Sequence, residues 1–354
     1  MRKLLSLALC LSIFASMAMG CSGADETTIT SDTTAASTTE ATTEATTSES
    51  VPETTAEPEF TFQPKVCSHF YEDIYGTAMC ETWYSLVDAV MAGEDTFSCP
   101  NGHTYLFVMR DFPDAFFPVL KEIIKEPDNY DFVSVDGTAQ FEYKVSREEA
   151  ARMIDEFSAI VEDILNETMH QDYSDFEKAL SLYSYFTHTY TYDYDTARLI
   201  DNNEFPNYTS AYRVLTGKNG ICSEISTAYS YLLLEAGVEA ATVQGGNHQW
   251  SIVRLGDEFY HVDPTFGLEK WDYLGFFLMT DEQRSYQGDF DIDEFERVSA
   301  YSPEVEPDYT ADDNTFEPLW DSYLTGMDHE NHTIEYTHYG DAGEVVGTFD
   351  YSGY

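Results

Sequence analysis

The sequence predicts an α+β fold in which a central helix packs on an antiparallel sheet. Three observations lead to this prediction. Two helices are marked by capping boxes that begin at Ser146 and Ser174 and by apolar residues at helical spacing. A further apolar helical pattern covers residues 222–236, and residues 248–263 alternate like the two strands of a hairpin. An α+β accessory region is expected before this core and a β extension after it.

The first twenty residues have the pattern of a secretory signal peptide. Arg2 and Lys3 supply a basic start, and an apolar stretch too short to span a membrane comfortably ends in small residues. Residues 17–21, Met-Ala-Met-Gly-Cys, resemble the lipobox of bacterial lipoproteins. The resemblance implies that Cys21 is lipidated and anchors the chain to the outer face of the bacterial cell membrane. An ordinary signal peptide with a cysteine at the cut is the alternative.

Residues 21–59 consist mainly of Thr, Ala, Ser and Glu. Such a segment buries too little apolar surface to offset the entropy of ordering it, so a disordered tether is predicted. With a lipid at its start, the tether would hold the remaining residues a short distance from the membrane.

The charge of the chain excludes one class of partner. Its 65 acidic and 17 basic residues give a net charge of -48, which would repel nucleic acid and anionic lipid. Solvation of the surface explains this charge better than attraction of basic substrates does.

The accessory region is predicted to cover residues 60–168. It ends in the helix that starts after Ser146, and a strand at 141–145 and a helix within 112–124 are expected before it. Nothing in this region indicates chemistry, so it is expected to support the part that follows.

Three cysteines of this region leave alternatives open. If Cys222 stays a thiol, then Cys67, Cys80 and Cys99 are an odd number and cannot all pair. One disulfide, a zinc site completed by neighbouring histidines, or unpaired buried thiols all fit the sequence, although the spacing matches no established zinc finger. No metal or other cofactor is required by the predicted chemistry.

The residues that indicate chemistry lie within 169–285, the predicted catalytic region. Cys222 begins the predicted helix, which ends near Gly237, a residue type suited to a left-handed C-cap. At a helix N-terminus, the unpaired amides and the helix dipole favour the thiolate. Gly220 would allow the chain to approach closely before the thiol.

His248 and Asp263 fall on the predicted hairpin. A two-residue turn at 255–256 places position 248 opposite 263, whereas a turn at 256–257 places it opposite 265 and leaves 263 as a diagonal neighbour. Both registers put the imidazole and the carboxylate on the same face. His261, whose side chain is predicted to point to the same face of the hairpin, is an alternative to His248 as the catalytic base.

Three segments carry a family resemblance: Gly-Ile-Cys-Ser-Glu at 220–224, Asn-His-Gln-Trp at 247–250, and Tyr-His-Val-Asp-Pro-Thr-Phe at 260–266. Their order and their spacings of 26 and 15 residues between Cys222, His248 and Asp263 resemble the transglutaminase-like superfamily. The sequence positions differ from those of two other cysteine enzymes: papain-like proteases have the histidine far downstream of the cysteine, and caspases have it upstream.

The resemblance implies a papain-like core in which Cys222 attacks an amide of a protein or peptide, His248 transfers protons and Asp263 orients His248. It also favours hydrolysis of the thioester over crosslinking. The residues Tyr-Thr-Tyr-Asp at 190–193 resemble the helix end that precedes the nucleophile in this superfamily, although packing explains their rings better. Tyr212 is a candidate oxyanion donor, with packing as the alternative. A catalytically inactive module that binds wall polymer or protein is the competing function.

Residues 286–354 are acidic and aromatic. A β-hairpin formed by 333–339 and 344–351 is predicted there, as an extension of the core.

Overall fold

The structure is a computed structural model that describes residues 59–129, 132–204, 206–288, 290–297, 309–340 and 343–354. The predicted signal peptide, the lipidation site Cys21 and nearly all of the tether lie outside the described residues. The described part belongs to one compact unit. None of its helices is both long and apolar enough to cross a membrane.

The N-terminal region is mostly helical. Its elements are α1 (His69–Tyr75), α2 (Thr77–Met91), β1 (Thr96–Ser98), α3 (Gly102–Arg110), α4 (Phe112–Phe116), α5 (Leu120–Ile123), β2 (Thr138–Gln140) and α6 (Arg147–Thr168). The helix expected within 112–124 is two short helices, because Pro118 has no amide proton to continue the first. The strand expected at 141–145 was wrong. The amide of Lys144 instead donates to the carbonyl of Ile123, at the end of α5.

Helix α6 starts where the sequence predicts, but its cap is only half of the predicted box. The Ser146 hydroxyl accepts from the amide of Glu149 at 3.2 Å. The Glu149 carboxylate pairs with Arg152 instead of reaching back to the cap.

One of the three open cysteine alternatives is observed. Cys67 and Cys80 form a disulfide with their Cα atoms 6.2 Å apart, whereas Cys99 is a free buried thiol. The disulfide removes two of the ligands that the zinc alternative needed. It joins the segment before α1 to α2.

The central region contains the predicted helix and sheet. Its elements are α7 (Asp175–Thr189), β3 (Thr191–Tyr192), α8 (Tyr194–Asp201), α9 (Ala211–Gly217), β4 (Asn219–Gly220), α10 (Cys222–Glu235), β5 (Ala240–Gly245), β6 (His248–Leu255), β7 (Glu258–Val262), α11 (Pro264–Gly267), α12 (Asp281–Gly288) and β8 (Glu296–Arg297). Strands β7, β6, β5 and β8 form an antiparallel sheet in that order. Helix α10 is hydrogen-bonded to this sheet, since Ser230 donates to Ser251 at 2.9 Å.

The C-terminal region forms a second antiparallel sheet. It consists of β9 (Ser322–Asp328), β10 (Thr333–Gly340) and β11 (Gly343–Asp350), with β10 in the middle. The hairpin predicted from the sequence is confirmed, because Thr333 pairs with Asp350 and Gly340 with Gly343.

A single hydrophobic core connects all three regions. The rings of Phe157 in α6 and Tyr231 in α10 stack with centroids 5.9 Å apart. On the other side, the ring of Phe176 in α7 stacks on that of Tyr351, which follows β11, at 4.5 Å. The central helices α7 and α10 are therefore packed between the two flanking regions.

Candidate active site

Cys222 is the first residue of α10, as the sequence predicts. The capping carboxylate of Glu224 accepts from the amides of Ile221 at 3.0 Å and Ser210 at 2.8 Å. Its charge is paired with Arg213, which also contacts Asp193 at 2.9 Å. This network fixes the loop that delivers the thiol to the N-terminal end of the helix.

Gly220 is required by close packing two residues before the thiol. A Cβ atom at this position would lie 2.2 Å from Cγ2 of Val214, which is far inside van der Waals contact. The backbone can therefore pass α9 only where no side chain is present.

The hairpin has the second of the two predicted registers. Leu255 pairs with Glu258 across a turn at 256–257, and Ser251 pairs with Val262. Continued beyond Val262, this register makes Asp263 a diagonal neighbour of His248, although the strand has ended there and Asp263 caps α11. The side chains meet: Nε2 of His248 lies 2.8 Å from Oδ2 of Asp263.

The thiol of Cys222 and the imidazole of His248 shift each other's pKa. Burial raises the pKa of Cys222, but the hydrogen bond and charge of His248, together with the amide of Gln249, outweigh burial and lower it. Burial lowers the pKa of His248, but the charges and hydrogen bonds of Asp263 and Cys222 outweigh this and raise it to about 9. Both shifts favour a thiolate–imidazolium pair at neutral pH.

Gln249 holds the start of β6 against α10. Its side-chain amide donates to the hydroxyl of Ser226 at 3.0 Å and to that of Thr227 at 3.3 Å. These bonds hold the start of β6 next to the N-terminal end of α10, where the backbone amide of Gln249 helps to lower the pKa of Cys222.

Asp263 is fully buried and accepts three hydrogen bonds. Besides His248, Nη2 of Arg284 donates to Oδ2 at 2.7 Å and the amide of Phe266 donates to Oδ1 at 3.1 Å. Burial raises the pKa of Asp263, but His248 and Arg284 outweigh it and lower the pKa below its ordinary value. The carboxylate is therefore an ionised acceptor held by neighbours on several sides.

The rival base His261 has a different environment. Its Nδ1 accepts from the indole of Trp250 at 2.9 Å, and its Nε2 lies 2.7 Å from Oδ1 of Asp281. Both ring nitrogens are thus engaged inside the fold, and the side chain is completely buried. His261 supports the sheet rather than facing the thiol.

The candidate oxyanion donor Tyr212 packs on the N-terminal region. Its ring centroid lies 5.8 Å from that of Phe157, and burial together with Glu122 and Glu156 raises its pKa. Tyr192 lies nearer to the nucleophile. It pairs with Gly220 between β3 and β4, and its pKa is raised by burial and then by the charge of Cys222.

The structure thus brings together the three residues that the sequence predicts for the site, along with neighbours that it did not predict. Tyr192 was assigned to packing although its Tyr-Thr-Tyr-Asp segment was noted, and that segment was the available signal. Gln249 lies beside His248 in the sequence, yet only the structure shows its bonds to α10. Arg284 gave no signal, because it is 21 residues from Asp263 in an ordinary amphipathic helix.

A thiol at a helix N-terminus, beside a histidine on the adjacent antiparallel sheet and an aspartate just after it, is the arrangement of a cysteine acyl-transfer type of domain. Residues 162–264 match the family model of the transglutaminase-like superfamily, so this part of the chain is a transglutaminase-like domain. No curated protein matches the chain.

Two solved structures are similar to parts of the chain. One is a candidate cysteine protease from Cytophaga hutchinsonii, with 16% identity, a TM-score of 0.24, and coverage of 32% of this chain and 38% of that one. The other is described as a TGase, with 21% identity, a TM-score of 0.31, and coverage of 49% and 47%. The chain thus spans less than half the length of either.

Proposed function

We propose that this protein is a cell-surface cysteine enzyme that cleaves amide bonds of proteins or peptides through a thioester. The observation that carries the proposal is the buried His248–Asp263 couple beside a thiol whose pKa is lowered. The disulfide between Cys67 and Cys80 supports an oxidising compartment, in agreement with the signal peptide and lipidated Cys21 expected from the sequence.

The reaction begins with attack of the Cys222 thiolate on an amide carbonyl, which forms a carbon–sulfur bond. The His248 imidazolium donates its proton to the leaving amine as the carbon–nitrogen bond breaks. Asp263 holds Nε2 of His248, so Nδ1 is the nitrogen left to exchange protons with the sulfur and the substrate. Neutral His248 then takes a proton from the water that hydrolyses the thioester, which releases a carboxylic acid and regenerates the pair.

Water is the proposed acceptor because the family resemblance favours hydrolysis. Crosslinking would need a site that binds an amine and excludes water from the thioester. A transamidase would use the same three residues and differ only in the second step.

The first test measures the reactivity of Cys222 with iodoacetamide between pH 4 and pH 10. A reactive thiol well below pH 8, and a rise of its pKa toward the ordinary value in His248→Ala, are expected. Cys222→Ala gives the background from the buried Cys99. An ordinary thiol pKa in the wild type, unchanged by His248→Ala, would reject the catalytic proposal and favour a binding module.

The second test identifies the acceptor. The protein is incubated with a peptide mixture, with and without a primary amine, and the products are read by mass spectrometry. New carboxyl termini or deamidated side chains in both samples indicate hydrolysis. Amine adducts that replace these products indicate a transamidase and would overturn the choice of water. Cys222→Ala is the control for both outcomes.

A further inference from the structure

A buried guanidinium lies behind the proposed catalytic residues. Arg284 of α12 is completely buried, and its Nη2 donates at 2.7 Å to Oδ2 of Asp263. The same oxygen lies 2.8 Å from Nε2 of His248. One carboxylate oxygen therefore joins two cationic side chains.

Aromatic rings surround both cations. The Cζ atom of Arg284 lies 4.4 Å from the ring of Trp250, 4.8 Å from that of Phe266 and 4.7 Å from that of Phe290. The imidazole of His248 contacts the same three rings, with centroid distances of 4.6 to 5.9 Å. This aromatic box excludes water from the carboxylate, so charges inside it interact strongly.

Arg284 has one anionic partner within the described part of the chain. Its Nε and Nη1 find no hydrogen-bond acceptor there, and its ion pair is with Asp263 alone. An arginine kept for general stability would be expected to satisfy more of its five donors. Its remaining interactions are with the three rings, which leaves the carboxylate as its specific target.

The site carries no net charge only when Arg284 is counted together with Cys222, His248 and Asp263. Cys222 thiolate and His248 imidazolium cancel, which leaves the negative charge of Asp263 uncompensated in a buried site. Arg284 offsets that charge. Without it, the excess negative charge would favour the protonated forms of both Cys222 and His248.

We propose that Arg284 is a positioning residue of the catalytic centre: it fixes Asp263 for His248 and offsets the carboxylate's charge, so that the Cys222–His248 pair exchanges protons near neutral pH. The proposal rests on the proposed function, in which Cys222 is the nucleophile. Other titratable or charged groups around the pair and its supporting residues are Tyr183 of α7, Tyr192 of β3, His261 of β7, Lys270 after α11 and Asp281 of α12.

The experiment follows the alkylation of Cys222 by iodoacetamide as a function of pH, which requires no substrate. The wild type should show two steps, one as the thiolate–imidazolium pair forms and one as His248 loses its proton. In Arg284→Met both steps should move to higher pH by on the order of one unit. Arg284→Lys keeps the charge and should keep both steps near their wild-type positions.

Arg254→Met is the matched control, because Arg254 is an exposed arginine of β6 that pairs with Asp257 at 3.3 Å. It should leave both steps unmoved. A folded Arg284→Met protein, verified by circular dichroism, with wild-type step positions would overturn the proposal, since loss of a merely structural residue lowers the amplitude without moving the steps.

If Arg284→Met does not fold, the comparison is made between Asp263→Asn and Asp263→Asn with Arg284→Met. The arginine is then an unbalanced cation, so its removal should move both steps upward. Identical step positions in the two variants would also overturn the proposal. A wild-type protein with a single step at an ordinary thiol pH would instead reject the proposed function, and the two failures are therefore distinguishable.

Discussion

At the residue scale, the location of the thiol depends on the absence of a side chain at position 220. Gly220→Ala places a Cβ atom 2.2 Å from Val214, so α9 and the start of α10 must separate. We expect a loss of about 1–3 kcal/mol in the free energy of unfolding and slower alkylation of Cys222 at neutral pH. Urea unfolding and iodoacetamide kinetics measure the two effects.

Gly217→Ala is the control for that substitution. Position 217 ends α9, and a Cβ atom there would meet no atom within 4 Å. Alanine in a helix is expected to be neutral or slightly stabilising. Equal effects at positions 217 and 220 would contradict the packing explanation.

Tyr192 and Tyr212 allow a paired test of the oxyanion donor. The charge of Cys222 raises the pKa of Tyr192, whereas the ring of Tyr212 packs on that of Phe157. We expect Tyr192→Phe to lower kcat for hydrolysis of p-nitrophenyl acetate on the order of 10²-fold, with a smaller change in KM. Tyr212→Phe should retain the wild-type kcat, and the reverse pattern would restore Tyr212 as the candidate.

The central site residues could be predicted because each is specified by its own short segment. Cys222 begins a regular apolar helix. His248 and Asp263 point to the same face of the hairpin in either of its two registers. Arg284 could not be predicted in this way, since its contact with Asp263 depends on how α12 returns to the sheet. Tyr192 likewise comes near Cys222 only through the pairing of β3 with β4.

At the element scale, the far end of α10 is held by a buried carboxylate. Glu235 accepts from the amide of Gln63 at 2.9 Å and from the hydroxyl of Tyr231 at 2.8 Å. Burial raises its pKa to about 7, against the opposing effect of those two donors. Its contribution to stability is therefore complete below pH ~4.5 and is lost as the pH rises to about 7.

Glu235→Gln should remove this pH dependence. The amide cannot ionise, and it can still accept from Gln63 and donate to the oxygen of Tyr231. Between pH 5 and pH 8 we expect the wild type to lose on the order of 2–3 kcal/mol more than the variant, as measured by urea unfolding at each pH. Glu258→Gln, at an exposed glutamate that begins β7, is the control. A wild-type pH slope in Glu235→Gln would contradict the assignment.

The hairpin shows why element boundaries were harder to predict than element types. The sequence allowed turns at 255–256 and at 256–257. The observed turn gives Gly256 a φ of 62°, which glycine adopts freely, and keeps Leu255 paired and buried at 1% exposure. The wrongly predicted strand at 141–145 has the alternation of a strand, but it bonds to the end of α5 instead of to a neighbouring strand.

At the scale of the whole molecule, the three predicted regions are parts of one packed body. Helix α7 carries the buried Glu177, which accepts from the Ser174 amide and, at 2.8 Å, from the hydroxyl of Tyr351. His329 lies 2.9 Å from the same carboxylate oxygen as Tyr351. The C-terminal sheet is thus attached to the catalytic region through a charged group and through the stack of Tyr351 on Phe176.

Tyr351→Phe tests this attachment because it removes the hydroxyl and retains the ring. We expect a loss of about 1.5–3 kcal/mol in the free energy of unfolding at pH 7, the range for a hydrogen bond to a charged acceptor. Far-UV circular dichroism and tryptophan fluorescence should report the same transition, since the C-terminal sheet shares the core of the catalytic region. Tyr354→Phe, which removes an exposed contact with Thr315, should cost less than about 0.5 kcal/mol.

The pH dependence of the stability lost in Tyr351→Phe shows whether the ionised Glu177 is its cause. Burial raises the pKa of Glu177, but the Ser174 amide, Tyr351 and His329 outweigh burial and lower it. The stability that these partners supply is therefore present above pH ~4.5 and is lost as the pH falls through the lowered pKa of Glu177. The difference between wild type and Tyr351→Phe should accordingly shrink in acid. A difference that stays constant down to pH 3, or two separate unfolding transitions in the wild type, would show that the C-terminal sheet is not held through this carboxylate.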